Sequence, residues 1–247
     1  MRMRTSAAVL TGALALSALA VPAAQADGHY GDTAITKVTV NGGKNVVLGT
    51  SAVKKFTVSV TAKDNSGIKG AEDIVLRGPG FGYLTGKARC SGSTCTASFT
   101  VDPKVDLPYS NDYAGTWYVD AFVVAKDGDF IWSEKAASFK FQRASTLTVN
   151  AAPEPVKKGK TITVTGKLAR ANWDDFKYHG YTAQTVKLQF LKKGGKAWST
   201  VKTAKTSSTG TLKTTVKASA DGYWRYSFAG TSSTPAVNST GDFVDVK

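Results

Sequence analysis

The chain is poor in the residues that carry most metal and nucleophile chemistry. Its 247 residues include two histidines, His29 and His179, and two cysteines, Cys90 and Cys95. No His-Glu-x-x-His run occurs, which excludes a zinc-protease helix of that type. A Gly-x-Ser-x-Gly elbow and a phosphate-gripping glycine loop are also missing. Asp174 and Asp175 are neighbours in sequence, so on a strand they would point to opposite faces rather than work as a pair. These absences lead us to expect a protein that is not an enzyme. Hydrophobic runs are short too. Past residue 26 none approaches the roughly 20 residues that span a bilayer, so no transmembrane segment is expected. Leucine is scarce after that point, while glycine, serine and threonine are abundant, a balance that favours short strands and turns over helices. Acidic residues are outnumbered, 18 against 32 Lys+Arg, for a net charge of +14.

What is present begins with a targeting signal. Met1-Arg2-Met3-Arg4 is basic, Ala7 to Val21 is apolar and alanine-rich, and Ala24-Gln25-Ala26 is a small-x-small cleavage sequence. Residues 1–26 therefore read as a signal peptide, with the mature chain starting at Asp27. The expected location is secreted, either extracellular or loosely associated with the cell wall. Cys90 and Cys95 then lie in an oxidising compartment, and the flexible Ser91-Gly92-Ser93-Thr94 between them lets a disulfide close.

Period-two alternation fills the rest. Lys55 to Ala62 places Phe56, Val58 and Val60 on one face and threonine or serine on the other. Gly115 to Lys126 places Trp117, Val119, Ala121 and Val123 together, and Tyr223 to Phe228 does so for Trp224, Tyr226 and Phe228. Further runs cover 35–40, 73–77, 94–101, 136–142, 161–168, 185–191, 198–205, 210–218 and 242–247, separated by turns such as Asp64-Asn65-Ser66-Gly67 and Asp221-Gly222. One stretch, Arg170 to Tyr181, lacks alternation and reads as a helix or an irregular excursion. Six or seven short strands per hundred residues imply an all-β fold: two tandem immunoglobulin-like β-sandwiches, spanning residues 27–145 and 146–247.

Three segments carry a resemblance: Gly115-Thr116-Trp117-Tyr118-Val119-Asp120, Pro153-Glu154-Pro155-Val156-Lys157-Lys158-Gly159 and Asp221-Gly222-Tyr223-Trp224-Arg225-Tyr226. With Gly230 and the closing Gly241-Asp242-Phe243-Val244-Asp245-Val246, the mature chain resembles a family of small secreted actinobacterial proteins of the streptomycete type. Members have two immunoglobulin-like domains and are often labelled calcium-binding. The resemblance implies fold and export; it brings no agreed catalytic or binding residue.

Charge separates the halves. Residues 27–145 hold 14 Lys+Arg and 12 Asp+Glu, whereas residues 146–247 hold 16 and 6. Outside a cell such a field suits an anionic cell-wall polymer or an acidic polysaccharide; nucleic acid is disfavoured by export. The candidate contacts are Lys157, Lys158, Lys160, Lys187, Lys192, Lys193, Lys196, Lys202 and Lys205. The competing reading is that these lysines keep an exported protein soluble. Calcium is the one cofactor considered. Asp64, Asn65, Glu72, Asp73, Asn111, Asp112, Asp127 and Asp129 fall in loops or strand ends of the first half, though none forms an EF-hand. Their alternative role is to cap turns through side-chain-to-backbone hydrogen bonds. Trp173, Phe176, Tyr178 and Tyr181, beside His179, are candidates for a glycan platform, the alternative being that they pack over the sandwich core.

Overall fold

The computed structural model describes residues 28–107 and 110–247. The signal-peptide reading of residues 1–26 and the start at Asp27 lie outside the described residues. Eleven strands make the first sandwich: β1 (Gly28–Tyr30), β2 (Ala34–Val40), β3 (Val46–Leu48), β4 (Lys54–Lys63), β5 (Ile68–Ala71), β6 (Ile74–Arg77), β7 (Tyr83–Gly86), β8 (Arg89–Ser91), β9 (Thr94–Val101), β10 (Gly115–Ala125) and β11 (Phe130–Arg143). One sheet runs β1-β11-β10-β6-β7, with β3 parallel to β11 and β5 on β10; the facing sheet runs β2-β4-β9-β8. Ten strands make the second: β12 (Ser145–Leu147), β13 (Asn150–Ala152), β14 (Thr161–Asn172), β15 (Lys177–Gly180), β16 (Thr185–Lys192), β17 (Ser199–Lys205), β18 (Thr211–Lys217), β19 (Gly222–Phe228), β20 (Val237–Asn238) and β21 (Asp242–Val244). Here β14 gathers β12, β13, β15 and β18, and the opposing sheet runs β17-β16-β19 with β20 and β21 on β19. The chain is all-β, built as two tandem sandwiches.

Alternation explains the cores. On β10 the indole of Trp117 is fully buried beside Phe139 and Phe141, and Val119, Ala121 and Val123 follow it inward. On β19 Trp224, Tyr226 and Phe228 take the same role in the second sandwich. Tyr226 also brings a polar atom inside, and its hydroxyl donates to the Val164 carbonyl at 2.8 Å. That bond satisfies a group whose unpaired burial would cost about 1–3 kcal/mol. Cys90 and Cys95 face each other in register across β8 and β9 and are joined as a disulfide. A ring this short contributes only about 2 kcal/mol through loop closure.

The expectation for residues 170–181 needs correction. The segment is neither a helix nor irregular. It is the end of β14 turning into β15, with Asn172 opposite Lys177 and Arg170 opposite His179. The buried positions are Ala169, Ala171 and Trp173, and alanine is too small to register as hydrophobic alternation.

That hairpin joins the two sandwiches. Trp173 belongs to the second half in sequence, yet its side chain is 0% exposed and packs within the core of the first. Its indole N–H donates to the Gly49 carbonyl at 2.9 Å. Asn111 secures the same contact from the other side. Its backbone N–H donates to Asp174 at 3.0 Å, its side-chain oxygen accepts from Trp173 N–H at 3.0 Å, and its amide donates to Asn172 and Asp174. The connection itself is hydrogen-bonded: Ala144 donates to Leu48 and accepts from Ala171, both at 2.8 Å. Arg143 is buried at this junction. Desolvation and the neighbouring Arg170 guanidinium bring its pKa down to about 10.

Candidate binding surfaces and cation site

Three predicted groups meet different fates. The glycan platform does not assemble. Trp173 is consumed by the first core, while Tyr181 turns toward the second. There its ring meets Phe228 edge-on at 5.8 Å and carries the Arg170 guanidinium at 3.9 Å. Phe176 is half-buried with the Lys104 ammonium 6.0 Å from its centroid, and of the four Tyr178 alone is exposed. His179 contacts Asp175 at 2.7 Å, an exposed pair whose hydrogen bond lowers the carboxyl pKa. Exposed aromatic surface gathers instead on the outer face of the seven-stranded sheet, where Tyr30, Phe130, Phe122 and Trp132 are brought together by register. Tyr30 stacks on Phe130, and Phe130 on Phe122, so these rings spend much of their faces on one another.

The acidic candidates divide. Asp64 and Asp129 converge, and the structure adds Asp32, which the sequence reading passed over. Each offers a carboxylate oxygen within 4.8 Å of the others. The three come from separate loops: Asp32 between β1 and β2, Asp64 between β4 and β5, and Asp129 between β10 and β11. Sequence separations this long left no local signal. Gly31 permits the approach, because a Cβ there would stand 1.5 Å from an Asp129 carboxylate oxygen. Asp64 accepts from Thr33 Oγ1 at 2.7 Å and from the Ser66 hydroxyl and N–H at 2.7 and 2.8 Å. These donors, Thr33 first, hold its carboxyl at about 2 against an ordinary 3.8. Three carboxylates of this kind suit a hard cation, which takes six to eight oxygens including water.

The remaining acidic candidates lie outside this group. Asp127 accepts from Asp129 N–H within its own turn, as a turn-capping residue does. Asn65 is exposed in the β4–β5 turn, and Glu72 and Asp73 are exposed between β5 and β6. Asn111 is committed to the junction between the sandwiches, and Asp112 N–H receives a cap from Ser110 at 3.1 Å.

All nine candidate lysines are exposed. They occupy three places. Lys157, Lys158 and Lys160 lie between β13 and β14. Lys192, Lys193 and Lys196 surround the β16–β17 turn. Lys187, Lys202 and Lys205 stand on those two strands. Lys193 reaches Asp221 at 3.5 Å; among the described residues no other lysine of the nine has a carboxylate within 4.0 Å. Lys202 and Lys205 also guard β17, which pairs with β16 on one side only, and lysine on an edge strand discourages sheet-to-sheet aggregation. Lys167, Lys213 and Lys217, absent from the nine, share one sheet face described below. Their signal was present in the alternation Thr211-Leu212-Lys213-Thr214-Thr215-Val216-Lys217.

No protein-family model matches the chain, and a comparison with curated proteins finds no match. Among solved structures, it is similar to a DUF4785 family protein from Legionella pneumophila at 14% identity and a TM-score of 0.43; the match covers 83% of this chain but only 57% of that one. It is also similar to the D00-D0 domain of intimin, at 14% identity and a TM-score of 0.29, covering 84% of this chain and 99% of that one. The three N-terminal domains of the outer capsid protein Hoc of bacteriophage RB49 align at 11% identity and a TM-score of 0.32, over 87% and 71% of the two chains. At these scores no property passes from those proteins to this one, and the two-sandwich fold rests on the strand pairings above.

Proposed function

We propose that this chain is a secreted, non-catalytic binding protein whose basic second sandwich holds an anionic cell-wall polymer or acidic polysaccharide. One observation carries the reading. The second half sets 16 Lys+Arg against 6 Asp+Glu, and the nine lysines singled out are all exposed, with Lys193 alone of them ion-paired among the described residues. Such a surface keeps its field available to a partner. Ammonium groups on flexible stems favour loose contact that salt weakens. The test is co-sedimentation of the whole protein with bacterial cell walls across a salt series. Binding at low ionic strength that vanishes by about a few hundred millimolar is the expected result, because screening then shortens the reach of exposed charges. Failure to sediment at any salt would leave the lysines as solubilising charge only.

A second reading has its own observation. Asp32, Asp64 and Asp129 converge from three loops, and a calcium ion would be held by their carboxylates with water completing the shell. It would tie three chain segments at one end of the first sandwich. Binding to the folded state raises the melting temperature with ligand concentration. A melting temperature unmoved between chelator and millimolar-range calcium, on the order of the weakest extracellular sites, would remove this reading.

A further inference from the structure

We infer that the polymer-contacting face is the outer side of the β13-β14-β18 sheet, and that it takes a phosphodiester-linked polyol polymer of the wall rather than a uronic-acid polysaccharide. This rests on the polyanion reading above, keeps the second sandwich as the binder, and moves the contact from the nine lysines to Lys167, Lys213 and Lys217.

Register builds the face. Along β14 and β18, Thr161 lies opposite Lys217, Thr163 opposite Thr215, Thr165 opposite Lys213 and Lys167 opposite Thr211. Their alternates, Ile162, Val164, Leu212 and Thr214, are buried, so this set points outward. Lys167, Lys213 and Lys217 are exposed, and no acidic residue occurs anywhere in β13, β14 or β18. Lys213 and Lys217 are four residues apart on one strand, roughly 13 Å. Lys167 and Lys213 are diagonal neighbours across the pair, about 7–8 Å apart. The positive charges therefore form a row along the sheet rather than a single spot, which complements a linear polyanion.

The donors decide the chemistry. Lysine only donates, while the threonine hydroxyls beside it both donate and accept, Thr165 Oγ1 donating to the Asn150 carbonyl at 3.3 Å. A phosphodiester presents acceptor oxygens and a permanent charge, so these groups satisfy it. A uronic-acid chain also brings several hydroxyl donors per ring, and this face meets them with threonine hydroxyls and Asn150 but with no carboxylate acceptor. Single-stranded nucleic acid is a phosphodiester too, but its tight binding uses aromatic side chains for base stacking, and β13, β14 and β18 contain none.

The experiment uses the full chain and three variants. One is Lys167→Gln/Lys213→Gln/Lys217→Gln. The second removes equal charge elsewhere, Lys157→Gln/Lys158→Gln/Lys160→Gln. The third, Thr163→Val/Thr165→Val, keeps shape and strand preference while deleting hydroxyls. Probes are purified poly(glycerol phosphate), polygalacturonate and an oligo-dT strand, with melting curves confirming that each variant folds. The expected result is a loss of roughly tenfold or more for the first variant on poly(glycerol phosphate), the scale of three surface lysines against an anionic layer. The equal-charge variant should lose clearly less, and the threonine variant should lose preference for phosphate over polygalacturonate. Equal losses in the two lysine variants would show that net charge, not this face, does the binding and would overturn the inference. Wild-type binding to polygalacturonate or oligo-dT as tight as to poly(glycerol phosphate) would overturn its chemistry while leaving the broader polyanion reading intact. A wild-type protein that binds no polyanion would end both.

Discussion

In the first sandwich acids and bases nearly balance, 12 against 14, and the acids that meet do so in loops at one end of the fold. In the second sandwich the excess is basic, and its lysines extend from turns onto the flat of a sheet. The sandwiches are bonded across their junction, so the contrast is not between two free modules. One scaffold supports a cation-type cluster on one member and an anion-type surface on the other. Outward strand positions are free to vary in charge while the inward positions keep the fold.

The firmest way to break that comparison is at the junction. Trp173→Ala removes a fully buried indole from the first core, and the expected cost is about 3–5 kcal/mol. Calorimetry should show the first sandwich losing most of it, although the mutation lies in the second half of the sequence. If only the second sandwich were destabilised, the placement of Trp173 in the first core would be wrong. Tyr226→Phe tests the second sandwich alone. Losing the bond to Val164 should cost about 1 kcal/mol, visible in a denaturant titration, with first-sandwich probes unmoved. The smallest effect concerns the acidic cluster. Because folding depresses the Asp64 pKa, its stabilisation is present above about 3.8 and is lost as pH falls toward about 2. The melting temperature of Asp64→Asn should therefore vary less than wild type between those pH values, and identical pH profiles would disprove the assignment.

Much of the fold was legible in sequence because large side chains alternate on the central strands. Trp117 to Val123 and Trp224 to Phe228 declare their inward faces by alternation alone. The β14–β15 hairpin was not legible, since Ala169 and Ala171 hold its inward positions and the one large residue there, Trp173, serves another domain. Exposed aromatics and a buried anchor look alike in composition. The candidate cation site was half visible: Asp64 and Asp129 sat in recognisable turns, whereas Asp32 joins them only through the tertiary meeting of loops. Lysine runs in turns drew attention over Lys213 and Lys217, whose spacing by four puts them on one strand face without making a run.

The β10–β11 hairpin has a consequence for how the molecule would meet a negatively charged surface. β11 spans 14 residues, from beside the Asp129 turn to Arg143 at the second sandwich, roughly 40 Å at the rise of a β-strand. The acidic cluster and the basic sandwich are therefore held at opposite ends of this strand, giving the molecule an electric dipole. A negative surface exerts a torque on such a body before contact and turns its basic pole inward.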